Sequence, residues 1–123
     1  MRSLTFGLIS AAIIYYCQNA LAFDSWTKTD TYLEIESEAL ILADWGTTLD
    51  IHAHPGKYEN NPILGPYPSR DRINLLVGLA FIAHPIISYV LPKHYREAWQ
   101  VGTIIVEFYC VSGNLNGGLR INF

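Results

Sequence analysis

Three ionisable residues sit inside apolar stretches of this chain: Asp44, His84 and Glu107. Each has polar company one helical turn away, Asp44 with Thr47 and Thr48, His84 with Ser88, and Glu107 with Thr103 and Cys110. Two carboxylates and an imidazole, one per segment, have the chemistry to pass protons, to hold an ion or to bind a metal through two oxygens and a ring nitrogen. The plainer reading is that they satisfy one another and pin helix register, as buried polar networks do. No metal signature such as H-E-x-x-H occurs, and nothing in the sequence calls for a cofactor. His52 and His54 form a second candidate metal pair, with Asp50 and Glu59 nearby. Alternate residues on a helix point about 200° apart, so both ligate one ion only if the helix ends by His52, an ending that Pro55 favours. Nucleophilic catalysis has no support and no catalytic residue is assigned: no Ser lies in a G-x-S-x-G turn, and Cys110 is embedded in an apolar helix.

The elements that must position these groups are helices. Gln100, Thr103, Glu107, Cys110 and Asn114 recur at steps of three and four, which puts them on one stripe of a helix over residues 99–114 with apolar residues around the rest. A carboxylate at the middle of such a stripe faces other helices, because a charge near a bilayer centre costs at least ~2.5 kcal/mol. Residues 73–91 form a stronger apolar run, interrupted only by Asn74, His84 and Ser88, with Pro85 expected to kink the helix. A third helix over residues 33–52 has a short apolar part, 39–51, carrying Asp44 and Asp50, and by hydropathy alone is interfacial. The acidic stretch before it (Asp24, Asp30, Glu34, Glu36, Glu38) reads as polar chain, and Lys93-His94-Tyr95-Arg96 as a short polar turn.

Composition fits a membrane protein. Half of the 123 residues are hydrophobic and 15% are charged, against ~25% in ordinary soluble domains. The net charge of -3, with scattered Lys and Arg, excludes a nucleic-acid partner. Two cysteines, Cys17 and Cys110, exclude a disulfide framework. Arg2, the apolar stretch 4–16 and Ala20-Leu21-Ala22 make residues 1–22 either a signal peptide cleaved after Ala22 or an uncleaved first membrane helix. In both cases the chain after Ala22 starts outside the cytoplasm. The positive-inside rule then favours a spanning 33–52 helix, with Arg2, Lys57, Arg70, Arg72 and Arg120 inside and Lys28, Lys93 and Arg96 outside. The expected fold is an all-α polytopic membrane bundle of three mature helices in one domain, residues 23–123.

The connection 55–72 is rich in Pro, Gly and Asn. Tyr58, Ile63, Leu64 and Tyr67 want cover, so it is expected to form an ordered cap on the bundle end, with Glu59 capping backbone N–H groups, Asn61 before Pro62 extended and Gly65 supplying a bend. Asp44-Trp45-Gly46-Thr47-Thr48, followed by Glu59-Asn60-Asn61-Pro62-Ile63-Leu64-Gly65 and Pro68-Ser69, resembles the D-W-G-x-T and E-x-N-P-I-L-G-x-x-P-S signatures of small membrane proteins of proteobacteria and their phages. The likeness covers roughly residues 38–123, and Thr47 stands where that pattern often has Gln. The family carries no established activity, so the resemblance implies architecture and a bacterial inner-membrane, multi-pass address.

Small residues on residues 73–91 and 99–114 (Gly78, Gly102, Gly113) predict tight helix packing or self-association. The expected function is therefore that of an accessory protein in the bacterial or phage-modified inner membrane. It works in the lipid bilayer through contacts with itself or with another membrane protein. The alternative is an ion- or proton-conducting or metal-dependent membrane protein built on the cluster Asp44, Thr48, His84 and Glu107. A secreted soluble helical domain is the third reading, and the 73–91 run is hard to keep in water.

Overall fold

The computed structural model describes residues 24–123, and the leader at 1–22 lies outside that range. The described chain is a bundle of three α-helices, α1 (Lys28–His52), α2 (Arg70–Val90) and α3 (Lys93–Asn116), with no strand among the described residues. Of these, α2 alone is long and apolar enough to cross a membrane, with a mean hydropathy of 1.9.

All three helices start earlier than hydropathy indicates, and local chemistry explains each start. Thr27 Oγ1 accepts from the Asp30 backbone N–H at 3.1 Å while Asp30 Oδ2 accepts from the Thr27 N–H at 2.7 Å. This reciprocal capping box begins α1 at Lys28 and draws most of the acidic stretch into the helix. Ser69 Oγ caps α2 by accepting from the Arg72 N–H at 3.2 Å. Pro92 serves both neighbours: a helix cannot continue into it, yet its fixed φ suits a helix start, so α3 begins at Lys93. Lys93-His94-Tyr95-Arg96 is thus the first turn of α3 and not a free polar turn. α2 runs through Pro85 without ending.

α1 is the central element, contacting α3 most and α2 next, whereas α2 and α3 touch little. The N-terminus of α1, the C-terminus of α2 and the N-terminus of α3 share one end of the bundle, where Arg96 meets Asp24, Ser25, Asp30, Ser88 and Leu91. The loop 53–69 and the C-terminal tail share the other end, where Lys57 Nζ donates to the Gly117 carbonyl. A small apolar core of Leu49, Leu64 and Ile73, flanked by Trp45, Leu76 and Val77, closes this loop end. Trp45 joins α1 to α2 by donating from Nε1 to Asn74 Oδ1 at 2.9 Å and lying against Phe81 and Gly78.

The loop folds on its own side chains. Glu59 Oε1 accepts from the Asn61 N–H at 2.7 Å and Asn61 Oδ1 from the Ile63 N–H at 2.9 Å. Gly65, at φ +82°, donates to the Asn61 carbonyl. The turn drives Leu64 into the core, but Tyr58, Ile63 and Tyr67 stay exposed. At the end of α3 the Leu119 N–H reaches the Asn114 carbonyl and the Gly118 N–H the Leu115 carbonyl. Gly118 at φ +87° completes this Schellman turn and sends the tail back over α1.

Asp50 holds the tail there: its Oδ2 accepts from the Arg120 N–H at 2.8 Å and its Oδ1 from Asn122 Nδ2 at 3.3 Å. Gly46 admits it, because a Cβ at that position would lie 2.7 Å from Ile121 Cγ2 and 3.1 Å from the Phe123 ring. Gly102 and Gly113, by contrast, face open space, so the small residues of α3 do not serve packing within the described residues. Gly46→Leu should therefore displace the tail at an overpacking cost of about 1–3 kcal/mol, reduced by the ~1 kcal/mol that a helical Gly forfeits. Faster amide exchange over residues 119–123 in Gly46→Leu, with the rest of the helices protected, is the expected result.

Candidate functional site

The interior is polar. Asp30, Glu34, Ser37, Thr47, Thr48, Asp50, His84, Ser88, Arg96 and Gln100 are buried, and the largest fully buried side chain is an arginine. Many large apolar side chains point outward instead, including Leu79, Ile82 and Ile86 on α2 and Ile105, Phe108 and Tyr109 on α3.

Arg96 occupies the end of the bundle where the three helix termini meet. Its Nη1 is 3.1 Å from Asp30 Oδ2, with both side chains sealed from solvent. Its Nε donates to the Ser88 carbonyl at 2.8 Å, and Nη2 donates to the carbonyls of Asp24 (3.0 Å) and Leu91 (3.1 Å). Nη1 also reaches the Ser25 carbonyl, and the Trp26 ring covers the guanidinium. A planar group with five N–H donors suits this convergence, which an ammonium could not match. The same Asp30 carboxylate also accepts from the Thr27 N–H and hydroxyl at 2.7 and 2.8 Å, so its Oδ2 is held by the capping box as well as by the guanidinium.

One turn further in, Gln100 Nε2 donates to the Asp30 carbonyl at 3.0 Å and to Glu34 Oε2 at 2.8 Å. Glu34 Oε1 lies 2.8 Å from His84 Nδ1, and Glu38 Oε1 lies 3.4 Å from the same nitrogen. On the far side of the ring, His84 Nε2 is 3.0 Å from Thr103 Oγ1, and Trp99 stacks on the imidazole. Ser88 is no side-chain partner of His84, because its hydroxyl donates back to the His84 carbonyl. The site thus takes two carboxylates from α1, an imidazole from α2 and a hydroxyl from α3.

Asp44, Thr48 and Glu107 belong elsewhere, so the single shared interior site expected from the sequence is two sites. Asp44 Oδ1 accepts from Asn114 Nδ2 at 3.2 Å, and the same amide donates to Thr47 Oγ1 at 2.9 Å. Thr47 is fully buried and donates to the Asp44 carbonyl. Glu107 and Glu59 lie within electrostatic reach of Asp44. A cavity of about 450 Å³ opens here, lined by Asp44, Thr48, Glu59, Asn60, Asn61, Cys110 and Asn114 among others. Asp44 and Thr48 of α1 and Glu59, Asn60, Asn61 and Leu64 of the loop, separated along the chain, therefore face one space. Pro62 and Gly65 shape the turn that carries Glu59 and Asn61 and line no part of that cavity.

His52 and His54 do not form a donor cluster. The α-helix ends at His52, and His54 bends back so that Nδ1 contacts the Asp50 carbonyl at 2.8 Å and Asp50 Oδ2 at 3.5 Å. Both histidines line a shallow cavity of about 460 Å³ with Tyr67 and Ser69. Among the described residues, the trio whose donor atoms all lie within 4.8 Å of one another is Glu34, Glu38 and His84.

Sequence reasoning missed Asp30, Glu34, Glu38 and Arg96. The signal was present: stepping back from Thr48 through Asp44, Ile41, Ser37, Glu34 and Asp30 in threes and fours traces one stripe of α1. Comparison of the chain with protein-family models, curated proteins and solved structures gives no match.

Removing the guanidinium strands a buried carboxylate. Arg96→Met should lower stability by about 3–5 kcal/mol, whereas Asp30→Asn together with Arg96→Met should recover much of that loss.

Proposed function

We propose that the protein is a small multi-pass membrane protein of the bacterial inner membrane, of bacterial or phage origin. It acts without chemistry of its own, through contacts with a further copy or with another membrane protein. The observation that supports this most is the inverted distribution of side chains: charged and amide groups fill the interior while Leu79, Ile82, Ile86, Ile105, Phe108 and Tyr109 stand exposed. Water would penalise that arrangement, since exposed apolar patches of this extent drive association. Lipid favours it, because a bilayer gains nothing from an apolar interior and holds helices together by packing and interhelical hydrogen bonds.

Helix length agrees. At 1.5 Å per residue, the 21 to 25 residues of the three helices extend about 31–37 Å, enough for a hydrocarbon layer of ~30 Å. Helices α1 and α3 fail a test of mean hydropathy because each spends a full stripe on polar residues that its neighbours cover. In this arrangement Lys57, Arg70, Arg72 and Arg120 lie at the loop end and Lys28, Lys93 and Arg96 at the other, an excess of one described basic residue that makes the loop end the cytoplasmic face.

Extraction tests the reading directly. The full chain should stay with membranes in alkaline carbonate and in high salt and leave only in detergent; release by carbonate would refute it. Ile82→Lys, at a position 62% exposed, separates lipid from water. In lipid it should cost about 2.5–3.5 kcal/mol of insertion and deplete the protein from membranes. On a soluble surface the same change would be neutral.

A further inference from the structure

The geometry points to a divalent transition-metal site formed by Glu34, Glu38 and Nδ1 of His84, with Zn²⁺ as the fitting ion. Nδ1 stands 2.8 Å from Glu34 Oε1 and 3.4 Å from Glu38 Oε1, and all three donors lie within 4.8 Å of one another. Ligands at the ~2.0–2.1 Å bonds of a tetrahedral zinc site are about 3.3 Å apart, so small side-chain adjustments bring an ion between them. A nitrogen with two carboxylate oxygens is a donor set for zinc and its neighbours, whereas Ca²⁺ and Mg²⁺ prefer oxygen alone.

Two observations beyond proximity support a cation here. Nδ1 carries at most one hydrogen, and Glu34 takes it, which leaves Glu38 Oε1 buried with no hydrogen-bond partner. A buried carboxylate oxygen without a donor is costly, and a metal bond would satisfy it. The surroundings are also those of ligands already oriented. Gln100 Nε2 holds the outer oxygen of Glu34, Thr103 Oγ1 engages Nε2 of His84, and Trp99 stacks on the ring. Such outer partners fix which ring nitrogen faces the ion.

Charge balance leads the same way. The Asp30–Arg96 pair is neutral by itself, so among the described residues no cationic side chain offsets the two carboxylates of the trio, and protons or a cation must. Neutral His84, two carboxylates and one dication sum to zero. Three protein ligands leave a fourth position open, as at zinc centres that carry water.

The test uses the full chain purified in detergent, so it does not depend on whether the helices cross a bilayer. Co²⁺ titration should give one equivalent of a coloured, four- or five-coordinate complex that Zn²⁺ displaces. X-ray absorption of the zinc form should show one imidazole, oxygen ligands and no sulfur. Glu38→Gln, which preserves shape, should weaken Zn²⁺ about 100-fold or more, and Thr103→Val about 10-fold by loss of the outer partner. Failure to bind a stoichiometric ion would overturn the site. So would sulfur from Cys110 or two imidazoles in the wild-type spectrum, or affinity unchanged in Glu38→Gln but lost in a His52→Ala, His54→Ala double variant.

Discussion

A buried arginine sets the terms for the rest of this molecule. Taking the Arg96 guanidinium out of water is tolerable only if each of its donors is met and its charge is opposed. The partners that do this come from the segment before α1 (Asp24 and Ser25), the first turn of α1 (Asp30) and the last turn of α2 with its cap (Ser88 and Leu91). Arg96 itself lies in the first turn of α3. One side chain therefore fixes where three helix ends stand relative to each other. The polar network that runs inward through Gln100 and Glu34 to His84 inherits its register from that point.

The opposite end is held by weaker and more distributed means. Leu64 is pushed by the loop turn into contact with Leu49 and Ile73, Trp45 bridges to Asn74, and Asp50 gathers the backbone of the tail. Polar groups and small apolar contacts share the work, and no single residue spans all the elements. The bundle thus has a rigid, charge-locked end and a loop end where a cavity lies open between the loop, α1 and α3. Asp44, Glu59 and Asn114 meet there, away from the Glu34, Glu38 and His84 trio, so the polar interior is two chemically distinct regions.

Much of the outline was legible in the chain. The steps of three and four in Gln100, Thr103, Glu107 and Asn114 correctly marked the inward stripe of α3, since Gln100 meets Asp30 and Glu34, Thr103 meets His84, and Asn114 meets Asp44 and Thr47. The Pro/Gly/Asn-rich loop is ordered because Glu59 and Asn61 bond its backbone. Helix starts were less legible, since hydropathy is blind to a capping box or to a proline that closes one helix and opens the next. That blindness put Arg96 in a turn and left Glu34 and Glu38 as part of a polar stretch with no inward role.

Sequence by itself determined the local facts: helical periodicity, the stops at Pro55 and Pro92, the turn chemistry of Asn61 and Gly65, and which residues are able to ionise. Those depend on backbone sterics and short-range hydrogen bonds, which involve neighbours within a few positions. Only the tertiary structure decided partnership. Whether His84 faces Glu34 and Glu38 or Asp44 and Glu107 depends on how far α2 is shifted and rotated against α1. That choice is made by the Arg96 convergence at one end and the Trp45 and Leu64 contacts at the other. Periodicity places a side chain on a face but leaves its height along the neighbouring helix free, so the interior pairs could be read only from the assembled bundle.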